Sequence, residues 1–270
     1  MSKRLKWILA ATAAVACIQV SANAAQILSL GIDGSTATSG TIGGATFALT
    51  ALQPTGTGVI DPFLRVQASS HPIEQGYNTD NPGSGSSATM DDLAGIYTHS
   101  IQLGNVGTVL INGVANYQFL LDANQTGSQP SITLDKFQLF LSSAPKAPNL
   151  TLAGLGTPVF NIDGGGVGSD RQVNLVVQNT GGNDPFGNHG SGSGDLYVYV
   201  PVSEVGGSAT DFLTLYAEFG GGNAPNYENN DGFEEWAVVN TQQVADASGT
   251  LMLLGIGLMG LEGLRRKIRA

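Results

Sequence analysis

Short runs of alternating apolar and polar residues recur between Gly-, Pro- and Asn-rich breaks from about residue 25 to 243, and none of them carries a long helical period. In 195–201, Leu196, Val198 and Val200 oppose Tyr197 and Tyr199; in 117–122, Tyr117, Phe119 and Leu121 fall on one side. A period of two sends successive side chains to opposite faces of a strand. The same reading predicts strands at 46–52, 95–103, 108–111, 131–141, 172–179, 211–219 and 233–240. Breakers such as Asn81-Pro82-Gly83, Gly164-Gly165-Gly166 and Gly220-Gly221-Gly222 separate the runs. Many short strands with Gly-rich turns predict an all-β fold, a β-sandwich of which the jelly roll is one form. The polar stretch 69–91 reads as a mobile loop, with His71 and Glu74 as solvated residues in it.

The two ends differ from this body. Lys3, Arg4 and Lys6 precede an apolar run from Trp7 to Ile18, and Ala22-Asn23-Ala24 supplies the small-x-small pattern of a signal-peptidase site. Residues 1–24 are therefore expected to be a signal peptide, with the mature chain starting at Ala25. A retained N-terminal helix and lipidation at Cys17 are the alternatives. At the other end, 250–264 is apolar apart from Glu262 and is followed by a basic end at 265–270 that contains Arg265, Arg266 and Lys267. As a helix 250–264 is about 22 Å long, which only marginally crosses a hydrocarbon core of about 30 Å. Basic residues after the span place its end in the cytoplasm and the body outside.

A short motif, a Leu/Gly-rich helix and a terminal Arg cluster resemble the PEP-CTERM sorting tail. Val244, Asp246 and Thr250 are similar to the motif variant VPDSGST, and Leu253-Leu254-Gly255-Ile256-Gly257-Leu258 resembles the family's apolar core. Ala245 stands where Pro is usual, Ala247 breaks the Ser/Gly pair, and Glu262 replaces a common Ala. The resemblance implies export, transient anchoring in the membrane, and processing at 244–250 by an exosortase-like membrane protease. An ordinary C-terminal anchor is the alternative. Within the body, Phe119 to Gln125, Leu134 to Phe140, Ser191 to Asp195 with Tyr199-Val200-Pro201, and Asn230 to Trp236 are similar to segments of proteins that carry this tail, which implies a shared extracellular β-domain and no defined activity. The chain thus reads as signal peptide 1–24, β-sandwich 25–243 and sorting tail 244–270.

Charge adds a constraint. With the ends set aside, the body holds nineteen acidic residues against Arg65, Lys136, Lys146 and Arg171, a charge near −15. Such a body repels phosphate backbones, so nucleic acid is not an expected partner, while divalent cations are. Asp122-x-Asn124-x-Thr126-Gly127 imitates the first half of a calcium loop. Its twelfth position is Thr133 where a Glu is needed, and Asp135 would substitute if the strand at 131 folds back beside the first. The alternative is an Asx-type hairpin turn. Glu234 and Glu235 are adjacent, so on a strand they face opposite sides, one toward a site with Asp231 and the other toward solvent. His71, His99 and His189 lack ligand spacing, and no nucleophile elbow or phosphate loop is present in the sequence.

These features read as a non-enzymatic surface or extracellular-matrix protein, associated with exopolysaccharide as the tail's resemblance implies. Calcium is the one cofactor they suggest. The rival is a carbohydrate-binding module in which exposed Tyr197, Tyr199 and Trp236 stack on sugars. A polysaccharide hydrolase would require two carboxylates converging in a cleft.

Overall fold

The computed structural model of the chain describes residues 26–31, 37–52, 60–68, 72–82, 90–125, 129–164, 170–177, 194–221, 227–229 and 232–239. The signal peptide, the sorting motif Val244, Asp246 and Thr250, the apolar tail, and Arg265, Arg266 and Lys267 lie outside the described residues, as do His71, Thr126, His189 and Asp231. Among the described residues, no helix is long and apolar enough to cross a membrane.

The described chain is all-β, with two sheets facing each other. One contains β1 (Gln26–Gly31), β5 (Glu74–Tyr77), β6 (Ile101–Gln102), β9 (Ser131–Ser142), β10 (Phe160–Asn161), β11 (Arg171–Val176) and β13 (Phe212–Phe219). Its main path runs β1-β11-β9-β13-β5. The other contains β2 (Ser39–Ile42), β3 (Ala45–Leu52), β4 (Ile60–Val66), β7 (Thr108–Ile111), β8 (Val114–Ala123), β12 (Gly194–Pro201) and β14 (Glu234–Val239), along the path β2-β3-β12-β8-β14-β4. A four-residue α-helix, Val202–Val205, follows β12.

The period-two pattern is what builds the core. Phe119, Leu121 and Ala123 of β8, with Leu196, Val198 and Val200 of β12, face Leu134, Phe137 and Leu139 of β9 and Leu213, Leu215 and Phe219 of β13. Phe137 is the hub, with its ring 5.8 Å from Phe119, 6.2 Å from Phe160 and 5.2 Å from Trp236. Tight turns need φ > 0, and the sequence supplies residues that tolerate it: Asn112-Gly113 (φ 50° and 81°) joins β7 to β8, and Gly43-Gly44 (φ 60° and 86°) joins β2 to β3.

Both sides of the sandwich are stitched between the sheets. At one side, Gly31 N–H donates to Ala37 O (3.1 Å) and Leu49 N–H to Thr38 O (2.8 Å), which ties β1 to β2 and β3. At the other, Asp91 N–H donates to Gln75 O (2.7 Å), Gln67 N–H to Asp91 O (3.0 Å) and Leu93 N–H to Arg65 O (2.8 Å), so 91–93 joins β4 to β5. Two expectations are corrected here. The stretch 69–91 contributes β5 and buried Glu74, Asn78 and Thr79, because its polar groups find backbone partners between the sheets. The strand predicted at 95–103 shrinks to Ile101–Gln102, because Gly95 adopts φ 137° and opens a turn.

Candidate functional site

The residues expected to form a calcium loop are divided by the fold. Asn124 Nδ2 donates to Asp122 Oδ1 (3.2 Å) and to Phe233 O (3.0 Å), so these two meet at the end of β8. Asp135 does not join them. The strand at 131 does not fold back beside β8; it crosses to the opposite sheet as β9, since Ile132 and Leu134 face Phe119 and Leu121 across the core. Asp135 is the extra residue of a bulge in β9, where the register moves from Glu218↔Lys136 to Phe219↔Leu134. Its Oδ2 accepts from Gly221 N–H, and its Oδ1 is buried without a hydrogen-bond partner among the described residues. Burial pushes the carboxyl up to about 7, Gly221 opposes that shift, and Glu218 and Asp170 add to it. Lys136 Nζ donates to both oxygens of Glu218 (2.7 Å each).

A denser polar group sits where β4, β5, β8 and β14 come together. Glu234 is fully buried and points inward, because its register partners Val66 and Ala123 both belong to the main core. Glu74, equally buried, also points inward: its register partner is Phe219, and Gly76 on the same side of β5 leaves room for Val66. Gln125 Nε2 donates to Glu234 Oε1 (2.8 Å), and Ala68 N–H, two residues past Val66, donates to Glu74 Oε2 (3.1 Å). Asn229 Nδ2 donates to Ala68 O (3.2 Å). Phe219 and Trp236 approach to 6.3 Å between the sheets. Glu74 lies beside Phe219 in one sheet, and Glu234 is the next inward position along β14 after Trp236 in the other. Glu234 Oε2 and Trp236 Nε1 are buried without a hydrogen-bond partner among the described residues. The sequence placed Glu74 in a solvated loop; only its register against Phe219 shows that it is internal.

Glu235 is directed to the other face, as adjacency requires, yet it is buried rather than solvated. Arg65 Nε donates to its Oε2 (2.8 Å), Arg65 Nη2 bonds the same oxygen, and the guanidinium lies 3.9 Å from the Tyr97 ring centroid and 4.3 Å from that of Phe233. Trp236, expected as an exposed aromatic, is wholly buried, because the bulky inward position beside Leu64 and Leu121 fills the core. Tyr197 and Tyr199 remain on the outer face, half-buried, with ring centroids 5.7 Å apart and planes tilted by 37°. Burial pushes both phenols up, while side-chain bonds to Thr50 and Gln118 respectively pull them back. An open cleft lined by Gly43, Gln138, Thr157, Asn161 and Glu204 presents one carboxylate. His99 sits apart in the segment after Gly95, its N–H donating to Phe63 O (3.0 Å).

The chain matches no family model, no curated protein and no solved structure.

Proposed function

We propose that the chain is an exported, non-enzymatic surface or extracellular-matrix protein: a β-sandwich of jelly-roll-like arrangement carried out by residues 1–24 and held at the membrane by 250–264 until an exosortase-like protease acts at 244–250. The observation that carries this reading is the contrast within one chain. An acidic, all-β body lies between a basic-apolar-Ala-x-Ala start and a motif-helix-Arg end. Its partners on this reading are the processing protease, the membrane and exopolysaccharide.

Intact-mass analysis of the protein from cells and from medium tests both processing events. The reading expects a mature start at Ala25 and a medium form ending within 244–250. A chain from medium that retains Met1, or that keeps 251–270 in every fraction, overturns it. In the second case an ordinary anchor explains the tail.

A carbohydrate-binding module is the second reading, favoured by the tilted Tyr197–Tyr199 pair with Gln118 and Thr50 at its hydroxyls. Retention on exopolysaccharide that disappears in a Tyr197→Ala/Tyr199→Ala variant would support it. Equal retention of the variant would remove it.

A further inference from the structure

The open cleft beside β10 has a volume of about 520 Å³, within the range of sites that take small ligands. Two amides line it that strand register sets opposite each other, Gln138 of β9 and Asn161 of β10. Phe137 and Leu139 on either side of Gln138 enter the core, as do Phe160 and Ile162 on either side of Asn161, so both amides are directed away from it. The segment that carries Asn161 is held to β9 by Val159 N–H donating to Leu139 O (2.8 Å) and Ile162 N–H to Phe137 O (3.2 Å). The other sheet contributes Gly43 of the β2–β3 turn, where a Cβ would strike Ile162 O, and Glu204 of the short helix after β12. The walls are thus fixed before anything enters.

Gln138 keeps 8% of its surface exposed, and no hydrogen bond engages its side-chain amide among the described residues. An amide this buried ordinarily has its donors and acceptor matched, so Gln138 is left to meet what occupies the cleft. Asn161 Oδ1 accepts from Asp163 N–H (3.0 Å), which orients that amide and leaves its Nδ2 as a donor. The hydroxyl of Thr157 and the carboxylate of Glu204 are exposed along the same cleft, with Pro158 and the 38% exposed Val159 as its apolar part.

We propose that this cleft binds a neutral saccharide segment, with Gln138 and Asn161 hydrogen-bonding its hydroxyls and Pro158 and Val159 covering its carbon–hydrogen surface. A hydroxyl both donates and accepts, and a primary amide offers a donor and an acceptor in one plane. Glu204 and a body charge near −15 repel phosphate, sulfate and uronate groups, which restricts the ligand to neutral sugars. The proposal rests on the reading of a polysaccharide partner and adds to it a charge class and a site separate from the Tyr197–Tyr199 pair.

The test applies the full chain to an array of immobilised neutral gluco-, manno-, galacto- and xylo-oligosaccharides, with uronate-containing oligosaccharides as comparators. Saturable binding to at least one neutral member is expected, and binding to the uronates at least about tenfold weaker. Gln138→Ala should weaken binding at least about tenfold, and so should Thr157→Trp, which fills the cleft from an exposed position and spares the core. Native near-ultraviolet circular dichroism checks each variant, and Thr157→Trp decides where Gln138→Ala does not fold. The Tyr197→Ala/Tyr199→Ala variant should bind as the wild type does. Preference for uronates, or unaltered affinity in folded Thr157→Trp, overturns the proposal. Binding lost in the tyrosine variant and kept in Thr157→Trp overturns this site while leaving the polysaccharide partner standing. Absence of binding to every member removes that partner as well.

Discussion

Two adjacent glutamates on one strand meet opposite environments, and the contrast shows how much one peptide unit decides. On the outer face of β14, Glu235 is matched by an arginine held between two aromatic rings, a charge pair complete within the chain. On the inner face, Glu234 has an amide and no described cation, and beyond it Trp236 fills the space between the sheets. The outer face is ordinary self-sufficient stabilisation. The inner face couples packing to an electrostatic requirement that described side chains leave open.

The largest expected effect separates packing from charge on the inner face. Trp236→Ala removes a fully buried ring that touches Phe137 and Phe219, and should destabilise the protein by about 3–5 kcal/mol in urea titrations. A loss below about 1 kcal/mol would mean that this layer is not core. On the outer face, Arg65→Ala leaves Glu235 without its partner and should cost about 2–3 kcal/mol, somewhat less than a fully buried pair because Arg65 keeps 21% side-chain exposure. The paired change Arg65→Met with Glu235→Leu should recover most of that, since a well-packed apolar pair does not carry the desolvation cost. Failure to recover would show that the guanidinium's ring contacts dominate.

The smallest effect depends on pH and concerns the β9 bulge in the opposite sheet. Asp135 has an ordinary value of 3.8 that burial raises to about 7, so between those limits the folded state holds a proton that the unfolded chain has released. Its contribution to stability is therefore complete below about pH 4 and is lost as pH rises toward 7. At about 1.4 kcal/mol per pKa unit the whole shift would give about 4 kcal/mol, and local relaxation should leave about half of it. Asp135→Asn should thus gain about 2 kcal/mol on the wild type at pH 8 and nothing at pH 4. Parallel stability curves for the two proteins from pH 4 to 8 would contradict this. Gln172, the next position after the Val173↔Leu134 pair, also buries an amide oxygen without a donor among the described residues, which suits a neutral neighbour.

Strands with strong alternation were legible without coordinates. The run 108–111 coincides with β7, and the inward and outward sets of β12 are those of the structure. β1, β2, β4 and β5 were missed for physical reasons. β1, β2, β4 and β5 end the sheet paths; Asp61 and Pro62 break the alternation at the start of β4 even though Phe63, Leu64 and Val66 are core residues, and β5 reads Glu-Gln-Gly-Tyr, whose burial comes from its neighbours. Parity alone fixed that Glu234 and Glu235 face apart. Which one is internal depends on Val66 and Ala123, and the partner of Glu235 stands 170 residues away at Arg65. The calcium expectation failed to assemble Asp122 with Asp135 because local spacing does not reveal that the chain changes sheets between them.

The pairing of β14 has a mechanical consequence. This strand is hydrogen-bonded on both sides, to β8 and to β4, and antiparallel to each. Tension applied through whatever follows Val239 enters along the strand axis and loads two ladders in shear together, rather than opening them one bond at a time. A chain pulled along that axis would resist extraction at β14, with the grip set by its six register pairs with β4 and five with β8 acting together.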